Sequence, residues 1–250
     1  MRRIDKSPEA PESLRGVPAP DSPDDIDPRV YAARDVKERL KADQMRKCAY
    51  CECRLNGDYG HTEHYRPKNG YTTAEGAPLR TPGYYWLAYD WNNLLLSCST
   101  CNSSCKKNHF ALADESARGI ASRDTSRESP LLINPAEDDP ARHIVFHDEI
   151  AVPRPSGGGE DPRGRYTIDT MRLNSRPDLV ENRLRLLCRY RTMLQARRLA
   201  EELVRRGLEP VRGRGLLEAA EAAIREMESP SGEYSAMLRQ GHPESRRKDG

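Results

Sequence analysis

The sequence is poor in apolar residues and has no long apolar run. Of its 250 residues, 36% are hydrophobic and 32% are charged, a balance typical of a chain with much solvated surface or with a partner that covers part of it. No run approaches the ~20 apolar residues that a membrane-spanning helix needs. Residues 1–8 also lack the apolar stretch of a signal peptide. We therefore expect a cytoplasmic protein without a membrane partner.

An excess of one charge is missing too. The formal net charge is only +2, so any attraction to nucleic acid has to come from local patches rather than from a basic field around the whole molecule. We find no internal repeat. A chain of this length holds one large domain or a small module with an accessory region, and we predict the second arrangement.

Local composition divides the chain into four segments. Residues 1–29 are rich in Pro, Asp and Ser and predict an extended arm, because proline disfavours helix at its own position and at the one before. Residues 30–112 contain six of the seven cysteines and are predicted to form a small module. Residues 113–228 are expected to form an accessory region of short strands followed by long helices, and residues 229–250 a mobile C-terminal tail.

Hydrophobic periodicity indicates the elements within these segments. In residues 31–47, Val36, Leu40 and Met45 recur at helical spacing and predict a helix that leads into the first cysteine pair. Short strands are predicted at residues 131–133, 143–146 and 166–173. Helices are predicted at residues 178–206 and 216–227.

The helix predicted at residues 178–206 has an apolar stripe and many arginines. The stripe is predicted to consist of Leu184, Leu187, Met193, Leu194, Leu199 and Leu203. The arginines could follow a nucleic-acid backbone, although we favour a solvated helix face because acidic residues stand among them. Gly207 is expected to end the helix.

Four cysteines form two CxxC pairs, Cys48 with Cys51 and Cys98 with Cys101. Each pair offers two thiolates from a tight turn, and four sulfurs complete the tetrahedral shell that structural Zn²⁺ prefers. A set of buried thiols or a single redox CxxC is the alternative, but neither explains two matched pairs. The sequence therefore predicts a structural zinc site.

The other cysteines lack this spacing. Cys53 and Cys105 are rivals as zinc ligands, but we expect small core residues or spare thiols at both positions. Cys188 lies in the predicted long helix and is expected in the core.

The separation of the two pairs indicates a further role. Forty-six residues lie between Cys51 and Cys98, whereas a plain zinc ribbon needs only ~15 to 20. The insert contains Thr-Glu-His-Tyr-Arg-Pro-Lys at residues 62–68. It ends with Tyr-Asp-Trp-Asn-Asn and three leucines at residues 89–96.

In this order, these residues resemble the HNH, or ββα-metal, nucleases. The matching positions are Glu63-His64, Asn93 and Asn102, the last directly after a CxxC pair. Glu63 departs from the more frequent aspartate, and Asn92 competes with Asn93, which we prefer because it stands nine residues before Asn102. The resemblance implies an α+β fold in which a zinc-stapled ββα-metal module carries a mainly helical C-terminal region. His64 would end one strand, and residues 101–107 would lie on the following helix.

Hydrolysis of a phosphodiester bond suggests a role for each matching residue. Imidazole, with an unperturbed pKa of ~6.5, suits a general base, and we assign that role to His64. Glu63 and Asn102 would offer oxygen ligands to a catalytic Mg²⁺ or Mn²⁺. Asn93 would orient the loop that carries the base.

Several cations border this motif. We expect those that contact nucleic-acid phosphates to be Arg66, Lys68, Lys106 and Lys107, although each could instead be an ordinary solvated side chain. His61 and His109 are expected to be structural or exposed.

A narrower resemblance extends over most of the chain. The sequence is similar to the PtuB family, the HNH components of Septu and retron-associated anti-phage systems. The matching motifs are Met-Arg-Arg-Ile at residues 1–4, Cys-Ala-Tyr-Cys-Glu at 48–52, Glu-His-Tyr-Arg-Pro-Lys at 63–68, Tyr-Trp-Leu-Ala-Tyr-Asp-Trp at 85–91 and Leu-Leu-Ile-Asn-Pro at 131–135.

The PtuB resemblance implies a PtuA-like ATPase that acts in trans. Consistent with this, the glycine run at residues 157–159 has no following Gly-Lys-Ser/Thr and so forms no nucleotide-binding loop. We expect a nuclease that acts on nucleic acid, with DNA preferred. Two alternatives are a non-catalytic zinc module that binds nucleic acid or the ATPase, and an HNH-like subunit that serves assembly or regulation.

Overall fold

The computed structural model describes residues 1–55 and 60–241. Its six α-helices are α1 (Pro28–Tyr31), α2 (Arg34–Asp43), α3 (Pro162–Thr170), α4 (Pro177–Arg205), α5 (Pro210–Glu228) and α6 (Ser235–Gly241). Its six strands are β1 (His61–His64), β2 (Leu94–Ser97), β3 (Ile144–His147), β4 (Ile150–Pro153), β5 (Pro155–Ser156) and β6 (Gly159–Glu160), which pair as three two-stranded sheets. Within the described residues, no helix is both long and apolar enough to span a membrane.

The N-terminal segment lies against the rest of the chain. Between Met1 and Asp27 it contains two short 3₁₀ turns, Glu12–Leu14 and Pro23–Asp25, and α1 begins at Pro28. Ile4 is nevertheless buried, and the Lys6 ammonium lies 3.8 Å from the centre of the Trp91 ring. The arm therefore packs over the chain next to β2.

Helix α2 leads towards the first cysteine pair, as the periodicity predicted. Val36 and Leu40 are buried, but Met45 is 46% exposed because the helix has ended before it. The Gln44 side chain donates to the Leu96 carbonyl (2.8 Å) and accepts from the Leu96 amide (2.8 Å). Helix α2 is thereby joined to β2.

Strands β1 and β2 form an antiparallel pair although 29 residues separate them. His61 stands opposite Ser97, and His64 stands opposite Leu94. Every residue of β2 is buried, so this strand lies in the core, and β1 is placed beside the core by its pairing with β2. A π-helical turn, Thr100–Lys106, follows β2 directly and corresponds to the helix expected at residues 101–107.

The accessory region contains one element of the wrong predicted type. Residues 166–173 were predicted as a strand, but most of them lie in α3. Pro162 occupies the first position of this helix, and the Asp161 carboxylate caps it by accepting from the Gly164 amide (2.8 Å). This start signal outweighs the apolar alternation.

The predicted strand at residues 131–133 is also wrong. This segment is not a strand, although Leu132 and Ile133 are buried. The Leu132 carbonyl accepts from the Tyr65 hydroxyl (2.6 Å), and the Ile133 amide donates to the Thr167 hydroxyl (3.0 Å). Side chains satisfy the backbone here, as a neighbouring strand would in a sheet. The strand predicted at residues 143–146 is confirmed as β3.

Helices α4 and α5 correspond to the two predicted helices, although α5 begins at Pro210 rather than at residue 216. Gly207, with a φ of 68°, lies just beyond α4 as expected. Leu187 and Leu194 are buried as expected, whereas Leu184 and Leu199 are exposed. Cys188 is exposed as well, so its prediction as a core residue is wrong. Several α4 arginines pair with acidic neighbours, such as Arg185 with Glu181 (2.6 Å) and Arg205 with Glu202 (2.6 Å), in agreement with a solvated face.

The tail expected to be mobile at residues 229–250 contains a buried helix, α6. Met237 and Leu238 are buried in the core. The Lys47 ammonium donates to the Gly232 carbonyl (2.7 Å), and the Glu52 carboxylate accepts from the Ala236 amide (3.4 Å). Residues 229–241 are therefore part of the folded body. The rest of the predicted tail, 242–250, lies outside the described residues.

Candidate active site and cysteine cluster

The four cysteines of the two CxxC pairs converge. All four are buried, and their sulfur atoms lie within 4.8 Å of one another. A tetrahedral shell with Zn–S bonds of ~2.3 Å places its sulfurs ~3.8 Å apart, and the sulfurs of Cys51 and Cys98 are 3.9 Å apart. The cluster therefore fits a zinc ion in both donor chemistry and spacing.

Tight turns aim the sulfurs at one point. The Glu52 amide donates to the Cys48 carbonyl (3.1 Å), and Glu52 has a φ of 63°, so the chain reverses sharply at the first pair. In the second pair, the Asn102 amide donates to the Cys98 carbonyl (3.0 Å). The second turn thus places Asn102 directly beside the cluster.

Two further contacts border the cluster, one from Cys53, which the sequence named as a rival ligand, and one from Arg176, for which the sequence had no signal. The Cys53 sulfur lies 3.3 Å from that of Cys51, so Cys53 borders the cluster. The Arg176 guanidinium lies 3.3 Å from the Cys101 sulfur. A cation at this position offsets part of the negative charge of four thiolates. The accessory region, to which Arg176 belongs, is therefore in direct contact with the cluster.

His64 lies at the end of β1, and its environment fixes its tautomer. The ring is only 6% exposed, and it packs edge-on against Tyr31 with 4.6 Å between ring centres. Its Nε2 lies 3.0 Å from the Ala88 carbonyl oxygen. A carbonyl can only accept, so Nε2 carries the proton, and in the neutral ring Nδ1 keeps a lone pair.

Burial, followed by the charge of Lys68, lowers the pKa of His64 to about 3. The ring is therefore neutral at pH 7 and able to accept a proton. A pKa so far below neutrality makes it a weak base until a negative group approaches.

Asn93 fastens the chain just beyond His64. Its side-chain oxygen accepts from the Arg66 amide (2.7 Å), and its Nδ2 donates to the carbonyls of Arg66 and Leu87 (both 3.1 Å). Asn93 is buried, whereas Asn92 is exposed. Asn93 thus contacts the backbone on both sides rather than the imidazole.

Glu63 and Lys106 form a buried ion pair with 2.6 Å between the carboxylate and the ammonium. Lys106 also donates to the His64 carbonyl (2.9 Å). Burial raises the pKa of Glu63, and the charge of Lys106 opposes this shift. Because Lys106 is only 1% exposed, this structure gives it no access to a phosphate, contrary to the expected surface role.

Of the motif residues, Glu63, His64 and Asn102 line a polar cleft of about 490 Å³, and Asn93 lies outside its lining. The lining residues that bear on its chemistry are His61, Glu63, His64, Lys68, Asn102 and Lys107. Lys107 is exposed and Lys68 is half-buried, so both can meet a bound anion. Arg66 instead pairs with Glu128 (3.0 Å). A carboxylate and an amide that line one cleft are a donor set that suits a hard divalent cation.

Two histidines of the region differ from each other. His61 was expected to be structural or exposed; it is exposed, but it also lies in the cleft, with its Nδ1 3.1 Å from the Asn102 amide nitrogen. His109 lies in a separate cavity, where its Nδ1 is 2.8 Å from the Thr72 hydroxyl. Alternation along β1, which places His61 and Glu63 on one face, was the sequence signal that could have indicated His61.

The structure thus has the features of a cysteine-stapled metal-binding module with a polar cleft beside the staple. No family model matches the chain. It is 41% identical over 158 residues to the Septu protein PtuB of Bacillus mycoides (strain KBAB4), a match that covers 63% of this chain and 52% of the relative. It is 30% identical over 157 residues to the Septu protein PtuB of Bacillus thuringiensis, covering 62% of this chain and 47% of the relative.

A third relative carries a different name. The Septu protein PtuA of Bacillus mycoides (strain KBAB4) is 30% identical over 148 residues, which are 59% of this chain and 20% of that relative. The chain spans about half the length of the PtuB proteins it matches. These matches confirm the predicted resemblance to PtuB.

Proposed function

We propose that this chain is a metal-dependent HNH endonuclease that hydrolyses phosphodiester bonds of nucleic acid, with DNA as the favoured substrate. The observation that carries the proposal is the convergence of His64, Glu63 and Asn102 on one cleft, with the protonated nitrogen of His64 held by a carbonyl. This arrangement leaves Nδ1 as the basic atom. A general base, two oxygen donors and nearby cations are the parts that phosphodiester hydrolysis needs.

His64 would take a proton from the attacking water at Nδ1. Its pKa is about 3 in the free protein, and a phosphate bound in the cleft would raise it, since an adjacent negative charge favours the protonated ring. Asn93 would keep the ring in place by holding the backbone at Arg66. A base that is held in the correct position can accelerate the reaction through its orientation as well as through proton transfer.

Glu63 and Asn102 would hold a catalytic Mg²⁺ or Mn²⁺, whose chemistry is to stabilise negative charge on the scissile phosphate and the leaving oxygen. The zinc of the cysteine cluster would be structural, because four sulfurs fill its shell and leave no open position for substrate. The two metals thus have separate tasks.

Lys68 and Lys107 would bind phosphates, since both line the cleft and reach solvent. Arg66 and Lys106, also expected to be phosphate contacts, are paired with Glu128 and Glu63. We therefore assign them to holding the site together.

We further propose that the chain acts in a Septu anti-phage complex in the cytoplasm, beside a PtuA-like ATPase. The relatives named PtuB support the system. The relative named PtuA supports the partnership, because there the matching module occupies a fifth of a longer chain. The low apolar content of the chain also fits a protein that is partly covered by a partner.

A plasmid-nicking assay with Mg²⁺ or Mn²⁺, run with and without the PtuA-like ATPase, tests the enzymatic proposal. We compare the wild type with His64→Ala and with His147→Ala, a matched control because His147 is exposed on β3. Zinc is counted in all three proteins. We expect metal-dependent nicking by the wild type and the control but none by His64→Ala at equal zinc content.

Equal nicking by His64→Ala and the wild type would refute the assigned base. No nicking by any of the three, even with the ATPase present, would favour a non-catalytic zinc module that binds nucleic acid or the partner.

A further inference from the structure

His61 and Asn102 face each other across the cleft from two different elements. His61 begins β1, and Asn102 lies in the π-helical turn that follows β2. The distance between the His61 Nδ1 and the Asn102 side-chain amide nitrogen is 3.1 Å. Because side chains alternate along a strand, His61 also shares a face of β1 with Glu63. All three residues line the same cleft.

The separation of these two atoms matches a metal-ligand pair. Ligands at adjacent corners of an octahedron with bonds of ~2.1 Å lie ~3 Å apart. The two ends of an asparagine amide have nearly the same shape, so rotation by half a turn brings the oxygen to the position of the nitrogen. An imidazole nitrogen and an amide oxygen would then lie at the spacing of two neighbouring ligands.

The His61 ring already has the tautomer that a metal requires. In the structure, the Asn102 amide nitrogen is placed to donate to Nδ1, so Nδ1 holds a lone pair and the proton is on Nε2. A divalent cation binds the same lone pair.

Glu63 is a weak ligand for a cation because its carboxylate is already paired with Lys106. A third donor beside Glu63 and Asn102 would therefore strengthen the site. The Glu63 carboxylate lies 2.6 Å from the Lys106 ammonium inside the protein. A cation at Glu63 thus meets a carboxylate whose charge is already offset and a positive neighbour. A neutral nitrogen donor strengthens such a site without adding to the buried charge.

We propose that His61 is a third protein ligand of the catalytic cation, together with Glu63 and Asn102, and that it makes the cleft prefer Mn²⁺ to Mg²⁺. The inference rests on the proposed function and specifies its metal. Imidazole suits first-row transition metals, whereas Mg²⁺ prefers oxygen donors throughout its shell.

Mn²⁺ binding to the zinc-loaded full chain, measured by electron paramagnetic resonance, tests this inference without substrate. Loss of residues that only orient a ligand typically weakens metal binding by about 10-fold to 100-fold, so loss of a direct ligand should weaken it at least as much. We expect His61→Ala to lower Mn²⁺ affinity by about tenfold or more and His147→Ala to leave it unchanged. Zinc content and circular dichroism verify that both variants fold.

Pulsed measurements on protein with ¹⁵N-labelled histidine identify the ligand directly. We expect a coupling between Mn²⁺ and an imidazole nitrogen that disappears in His61→Ala but remains in His147→Ala. His61→Asp should restore binding and shift the preference towards Mg²⁺, because a carboxylate replaces the nitrogen donor.

Two variants separate failure of this inference from failure of the proposed function. If Glu63→Gln and Asn102→Ala weaken Mn²⁺ binding while His61→Ala does not, the cleft binds the cation but His61 is no ligand, and only the inference is overturned. If the wild type binds no Mn²⁺ in the cleft, both the inference and the metal assignment of the proposed function are overturned.

Discussion

The Lys106 ammonium lies 2.6 Å from the Glu63 carboxylate, and the same ammonium donates to the carbonyl of His64. One buried cation therefore holds the Glu63 side chain and the backbone of His64 together. It comes from the π-helical turn that also carries Asn102. The relative positions of the two halves of the motif thus depend on this contact.

Lys106→Met should destabilise the protein strongly. Removing one partner of a buried ion pair leaves an uncompensated charge and typically costs about 3 to 5 kcal/mol. Urea unfolding at neutral pH measures the loss. Lys107→Met is the matched control: Lys107 is exposed, so we expect a change within about 0.5 kcal/mol. The double variant Glu63→Gln with Lys106→Met should recover part of the loss. Equal stability of Lys106→Met and Lys107→Met would contradict the buried ion pair.

Cys48→Ser should abolish stoichiometric zinc and prevent cooperative folding. Structural zinc in small modules contributes on the order of 10 kcal/mol to folding, and a serine hydroxyl does not replace a thiolate ligand. Metal analysis and thermal melting measure both effects. Cys188→Ser provides the control, because Cys188 is exposed on α4. We expect this substitution to leave the zinc content and the melting temperature unchanged. A Cys48→Ser protein that melts like the wild type would show that the cluster is not a structural metal site.

Asn93→Ala should impair cleavage more than Asn92→Ala. The substitution leaves the Arg66 amide without its acceptor and frees the chain beyond His64, at a cost of about 1 to 3 kcal/mol in stability. Misplacement of the base should lower the nicking rate by about 10-fold to 100-fold. Asn92 is exposed, and its substitution should change the rate little. The reverse order of effects would assign the central motif position to Asn92.

Leu238→Ala should destabilise the whole protein, contrary to what a mobile tail would do. Leu238 is fully buried on α6, and truncation of a buried leucine costs about 2 to 5 kcal/mol. Leu199→Ala is the control, since Leu199 is 65% exposed and its loss should be nearly neutral. Chemical denaturation followed by circular dichroism compares the two. Equal midpoints would mean that α6 is not packed in solution.

The sequence was sufficient to predict features that depend on local spacing. The four cysteines stand in two pairs with fixed spacing, and they converge as predicted. Helix α4 was predicted to within a residue at each end, because its periodicity is long and Gly207 follows it. The convergence of His64, Glu63 and Asn102 on one cleft agrees with the motif, while their chemical roles remain predictions.

Contacts between distant residues had no pattern to predict them. Lys106 and Lys107 are adjacent residues of the same type, so the sequence does not tell which of them is buried. Only the fold shows that Lys106 is buried and Lys107 exposed. The contact of Arg176 with Cys101 joins residues 75 positions apart. The strand wrongly predicted at residues 166–173 is a different case, since Asp161 and Pro162 were a readable helix start that the apolar alternation obscured.

The contacts of Lys47 with Gly232 and of Glu52 with Ala236 join the first cysteine turn to α6. During synthesis, all four cysteines leave the ribosome long before α6 exists. A nascent chain can therefore gather its zinc ligands early, but the turn around Cys48 and Cys51 acquires its last packing partner only when residues 232–238 have been made. Native pairings of such long sequence separation form slowly. Zinc bound before α6 is made would hold the four cysteines together during this interval.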